Sequence, residues 1–286
     1  MDRTDAVRSV LIYTLIANTA VAVAKMIYGY FSNSIAMVSD GFHSLFDGVS
    51  NVIGLVGVWI ASHPPDRDHP YGHKKYETLF TIAIAIMIFL TCLQILKKVY
   101  ESFLEDHRVA VTSFSFLVMA ITMAVNVAVA VYETKKGKEL KSDFLIADAR
   151  HTKSDILASV AVIVGLIFSL FGYQRVDAVV GIIITILVAR IGYGILKAAS
   201  DILVDTVCID TSAIGDVVNL VEGVKGCHDI RTRGTESSVF LDLHILVDPS
   251  ISVEKSHEIA DEVESKIKDR FPSVVDIVVH IEPEEK

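Results

Sequence analysis

The chain has 286 residues, 52% of them hydrophobic, with a mean hydropathy of +0.50. That excludes an ordinary soluble protein and suits a multi-span membrane protein. The net charge of −9 lies wholly in one part: from Cys208 onward there are 17 acidic and 8 basic residues, against 18 of each before it. No basic face appears, which excludes nucleic acid as a partner. Three cysteines without a CxxC pair exclude a disulfide framework and a thiolate zinc site.

Met1 to Arg8 is short, polar and of mixed charge, without the pattern of a secretory signal. Apolar runs long enough to span a bilayer follow near 9–30, 35–61, 78–99, 112–133, 144–171 and 178–200. The second and fifth are the least hydrophobic because they carry Asp40, His43, Asp47 and Asp148, His151, Asp155. Such helices are expected to face the bundle interior rather than lipid. Small residues of the second span, Gly41, Ser44, Gly48 and Ser50, allow close helix approach. Lysines and arginines concentrate at the N-terminus and in the 2–3 and 4–5 loops, which places both termini in the cytoplasm.

After about residue 208 the pattern changes. Ser212 to Val221 reads as an amphipathic helix, Gly226 to Thr235 and Ser238 to Val247 as strands, Ser252 to Arg270 as a helix and Val274 to Ile281 as a last strand. The expected fold is therefore a polytopic α-helical membrane protein with six transmembrane helices at 1–207. A small cytoplasmic α+β domain follows at 208–286, in the order α-β-β-α-β of ferredoxin-like metallochaperones.

Three constellations carry chemistry. His43-Ser44-Leu45-Phe46-Asp47 and His151-Thr152-Lys153-Ser154-Asp155 each put an imidazole and a carboxylate on one helix face. Two such faces supply two nitrogens and two oxygens, a tetrahedral set for Zn²⁺ or a similar ion. Asp40 lies near the same face, either as an outer, proton-carrying group or as helix-end polarity. The loop Asp66-Arg67-Asp68-His69-Pro70-Tyr71-Gly72-His73 holds two histidines and two carboxylates able to wrap an ion. The C-terminal part holds His228, His244, His257 and His280, with Glu282 on the strand face of His280.

These residues resemble the cation diffusion facilitators, a zinc transporter family of six-helix homodimers with a cytoplasmic metal-binding domain. The likeness spans almost the whole chain. It is carried by Ser34 through Asp47, by Asp66 to Glu77, by Ala147-Asp148-Ala149-Arg150-His151 through Asp155, and by His228-Asp229-Ile230-Arg231-Thr232-Arg233. The resemblance implies a transport site at His43, Asp47, His151 and Asp155, and a loop site at Asp66, His69 and His73. It also implies a binuclear site at His228, His244, His257, His280 and Glu282, although family members often have Asp in the last place. Lys75 and Asp205 match a charge pair at the family's dimer interface.

The expected activity is a proton-coupled antiport that exports divalent transition-metal cations, Zn²⁺ foremost, from the cytoplasm across the cell (inner) membrane, with protons as counter-substrate. Metal binds neutral imidazole and ionised carboxylate, so it must displace protons, and imidazole titrates near physiological pH. No GxxxxGK[ST] motif is present. A membrane metallohydrolase would need HExxH, and His257-Glu258-Ile259-Ala260-Asp261 fails at its last position. No enzyme activity is expected. A membrane-anchored metal sensor would not require two ligand pairs at membrane depth.

Overall fold

Six long helices open the chain: α1 Arg3–Phe31, α2 Ile35–Ala61, α3 Lys75–Leu104, α4 Ser113–Glu139, α5 Asp143–Leu170 and α6 Gln174–Leu203. The computed structural model describes residues 3–31, 35–104, 113–170 and 174–284. Side chains at some helical positions, Asp40, His43 and Asp47 among them, lie outside the described residues. Each helix has 27 to 30 residues, about 40 Å at a rise of 1.5 Å per residue, enough to cross a hydrocarbon layer of about 30 Å. Among the described residues, α1, α3 and α6 contain the stretches apolar enough to cross on composition alone.

Only three residues separate α4 from α5, so the two form an antiparallel hairpin. α1 packs on α2 and α4, and α5 on α2, α3 and α4, so α1, α2, α4 and α5 converge. Gly54 sets the approach of α2 to α5: a Cβ there would overlap the ring of Phe144, which is fully buried. The shared core holds Leu11, Val58, Ile84, Ile88, Phe144, Leu145 and Val188. Ile16, Ile27, Leu93 and Ile186 point outward and are exposed, as a lipid-facing surface requires. Thr81, Thr91, Thr134, Ser159 and Thr185 donate their hydroxyls to the carbonyl four residues back, so they bring no unsatisfied donor to the bundle.

At one end Arg3 ties three segments together. Its Nε donates to Leu140 O at 2.8 Å and its Nη2 to Lys141 O at 2.9 Å, and it pairs with Glu77 at 3.2 Å. Ser142 donates its hydroxyl to the same Glu77.

The chain divides into two compact units, Met1–Ala199 and Ser200–Lys286. The second holds α7 Thr211–Val218, β1 Gly226–Thr235, β2 Ser238–Val247, α8 Val253–Arg270 and β3 Val274–Pro283. The strands lie in the order β1-β2-β3, with β1 antiparallel and β3 parallel to β2. Along β2, Val239, Leu241, Leu243, Ile245 and Val247 are buried against Ile214 and Val218 of α7 and Ile259, Val263 and Ile267 of α8. Both helices therefore cover one face of the sheet. Asp210 caps α7 by accepting from Ser212 N, and Ser252 caps α8 by accepting from Lys255 N.

Candidate metal centres

The intramembrane centre is built on α5. A helical turn separates His151 from Asp155, which aims both toward α1, α2 and α4. A polar cleft there is lined by Asn18, Ser44, Ser50, Asn126, His151 and Asp155. His151 is 3% exposed, yet among the described residues neither ring nitrogen has a hydrogen-bond partner, nor does Asp155 Oδ1. Buried polar atoms are nearly always paired; unpaired nitrogen and oxygen donors a turn apart are what a cation ligand set requires. His43 and Asp47 lie on α2, whose Ser44 and Ser50 line the same cleft, but their side chains fall outside the described residues.

Two features of this centre were not singled out from the sequence. Lys25 of α1 is 7% exposed, donates to Ser44 Oγ at 2.8 Å and exerts an attractive charge effect on Asp155. In addition, Asn51 of α2 gathers a polar network: it accepts from Asn18 Nδ2 at 2.9 Å and donates to Thr14 Oγ1 at 3.0 Å and to Asp148 Oδ2 at 2.8 Å.

The loop centre joins Asp66, His69 and His73. Asp66 Oδ1 lies 3.5 Å from His69 Nδ1, and Asp66 Oδ2 lies 3.5 Å from His73 Nε2. The turn is closed by Gly72, whose φ of 83° suits glycine and whose N–H donates to His69 O at 2.9 Å. His73 Nδ1 faces the carbonyls of His63 and Pro64 at 3.3 and 3.2 Å. Donation there leaves the Nε2 lone pair toward Asp66, the tautomer a metal ligand needs. The His69 N–H, donating at 2.7 Å, is the main reason the Asp66 carboxyl sits below its ordinary range; partial desolvation opposes it, and the Asp68 N–H adds to it. Asp68 lies outside this trio.

The third centre is a row across the sheet. His228 of β1 pairs in register with His244 of β2, and His244 with His280 of β3. Ring centroids are 5.1 and 4.6 Å apart. Glu282, two residues beyond His280, reaches all three: 3.0 Å to His228 Nε2, 3.0 Å to His244 Nδ1 and 3.5 Å to His280 Nε2. Desolvation raises the Glu282 carboxyl, but the hydrogen bonds from His244 and His228 outweigh it and hold the group below its ordinary range. The β1 ladder is irregular between His228 and Arg231, where Asp229 takes a φ of 50°. This irregularity turns Asp229 toward His228, 3.8 Å away, an addition to the site that the sequence did not signal. Within one chain His257 stands apart from the row. It lies on α8, which covers the apolar face of the sheet, and its charged neighbour is Asp261 at 3.7 Å.

The model of the cation efflux transmembrane domain matches residues 11–204, and that of the cation efflux protein cytoplasmic domain matches residues 208–284. An uncharacterized transporter of Methanocaldococcus jannaschii is 34% identical over 95% of this chain and 96% of its own length. Metal tolerance protein C1 of Arabidopsis thaliana is 31% identical, over 94% of this chain and 61% of its own length. The manganese efflux system protein MneP of Bacillus subtilis is 28% identical, over 99% of this chain and 98% of its own.

Proposed function

The chain belongs to the cation diffusion facilitator family of cation efflux transporters, and from that membership we propose that it exports Zn²⁺ from the cytoplasm as a proton-coupled antiporter working as a homodimer. It is a membrane transporter of metal cations and not an enzyme. The observation that carries the zinc reading is His151, buried with both ring nitrogens unpartnered among the described residues, one turn from an Asp155 oxygen likewise unpartnered among them. The second HxxxD on α2, His43 and Asp47, would complete the set. Imidazole donors favour zinc over a harder ion such as manganese.

Proton coupling follows from the same donors. A cation enters only onto neutral imidazole and ionised carboxylate, so each loading step expels protons. When the cation leaves on the far side, the emptied imidazoles are free to take protons back. The row of His228, His244, His280 and Glu282 is read as a cytoplasmic metal site that steadies the dimer, and Asp66, His69 and His73 as an auxiliary site. Placement in the cell (inner) membrane with both termini cytoplasmic agrees with the distribution of lysine and arginine over the loops.

The test is metal flux in proteoliposomes across Zn²⁺, Cd²⁺, Mn²⁺, Co²⁺ and Ni²⁺, with the proton gradient imposed or collapsed. Zinc flux driven by the gradient is expected. Manganese flux with indifference to zinc overturns the selectivity, and zinc flux indifferent to the gradient overturns the coupling.

A further inference from the structure

Glu133 of α4 is 0% exposed, and neither of its carboxylate oxygens has a hydrogen-bond partner among the described residues. The Asp148 carboxyl of α5 is its acidic neighbour, with Thr14 and Asn51 beside it. Asp148 is 1% exposed; Asn51 holds its Oδ2, and its Oδ1 has no hydrogen-bond partner among the described residues. The His151 imidazole, three residues further along α5, is the basic neighbour of Asp148. Three carboxylate oxygens without a close hydrogen-bond partner among the described residues thus lie in an enclosed place, with Glu133 in looser polar contact with Thr14, Asn51 and Asp148.

Two neighbouring buried carboxylates with unpartnered oxygens are among the most expensive arrangements a bundle can hold. The donors here are all oxygen: two carboxylates and the hydroxyl of Thr14. Such a set suits a hard divalent cation, unlike the imidazole-containing set at His151. We propose that Glu133 and Asp148, with Thr14 at their side, form a second cation site in the bundle that takes a hard divalent ion through oxygen ligands only.

The placement gives the site a role. Asp148 lies five residues into α5 and Glu133 six residues before the end of α4, so both sit near the α4–α5 connection. His151 and Asp155 lie about 4 and 10 Å further along α5. An ion entering from the connection end reaches the oxygens first and the imidazole afterwards. The role, though not the binding, rests on the transport reading above. A loosely selective oxygen site ahead of a nitrogen-containing one would gather divalent ions before they are sorted.

The experiment is equilibrium binding of Mn²⁺ to the purified full-length protein in detergent, without any gradient, so its outcome is independent of flux. Glu133→Gln and Asp148→Asn are each expected to lose about one Mn²⁺ per chain, while His151→Ala retains that ion. Glu133→Asp keeps the charge but withdraws the oxygens by one methylene, and is expected to weaken the same binding about tenfold; it answers the question if the neutral variants do not fold. Mn²⁺ occupancy and affinity equal to the parent's in the folded variants overturn the site. That result together with a lost pH response of zinc flux would assign the pair to a proton instead. Loss of the bound Mn²⁺ alongside absent zinc flux in the parent would leave this site standing and remove the zinc reading.

Discussion

His244 of β2 and His280 of β3 stand directly opposite each other in the parallel ladder, ring centroids 4.6 Å apart, with Glu282 between them. Three strands thereby hold four potential ligands in place before any ion arrives. A prearranged set binds the folded state alone, so metal adds stability by mass action, about 2.7 kcal/mol at a hundredfold excess over Kd. A fragment starting at Ser200 should therefore unfold at higher temperature with Zn²⁺. His244→Ala combined with His280→Ala should remove most of that gain, as read by calorimetry.

Removal of Asp155 leaves the intramembrane set with one donor fewer and the wrong charge. Asp155→Ala should abolish zinc flux in proteoliposomes while the protein still inserts and dimerises, and His151→Ala should do the same. Near-normal flux in either variant would overturn the central claim.

Lys25 places an ammonium close to this centre, anchored on Ser44 at 2.8 Å. A fixed positive charge opposes cation loading and helps the cation to leave. Lys25→Met should therefore tighten zinc binding on the order of tenfold and slow turnover, giving lower KM together with lower maximal flux. Weaker binding in this variant would show that the lysine organises the site rather than repelling its occupant.

Asp210 carries a pH dependence outside the membrane. The Ser212 hydroxyl, followed by the Ser212 N–H, holds its carboxyl below the ordinary range. A carboxyl depressed by folding stabilises fully above its unfolded value of about 3.9 and loses that contribution as pH falls through the lower folded value. Asp210→Ala should lower the unfolding temperature of the Ser200 fragment by about 5 °C at neutral pH. The difference from the parent should shrink once the pH drops below that window.

Much of this architecture was legible in the sequence because it rests on period. The alternation Val239 to Val247 marks β2 and its buried face, and the HxxxD spacing marks an imidazole and a carboxylate on one side of a helix. What escaped depends on which helices become neighbours. Glu133, in Val131-Tyr132-Glu133-Thr134-Lys135-Lys136, resembles a solvated helix end until α1, α2 and α5 close over it. Lys25 looks like a stray charge in an apolar run until Ser44 of the next helix receives it. The separation of His257 from the row was likewise hidden, because spacing along α8 does not reveal which face of the sheet the helix covers.

The strict two-residue alternation of β2 has a consequence for sequence drift. His244 lies between Leu243 and Ile245, one outside and two inside. A single-residue deletion before His244 would swap the faces, pushing an imidazole into the apolar layer and leucines into water. Substitution and length change therefore carry very different penalties here. Replacing one histidine would remove a candidate ligand and leave the sheet intact, whereas shifting the frame of the strand would destroy both. Insertions should survive in the α7–β1 and β2–α8 connections and be purged from the strands themselves.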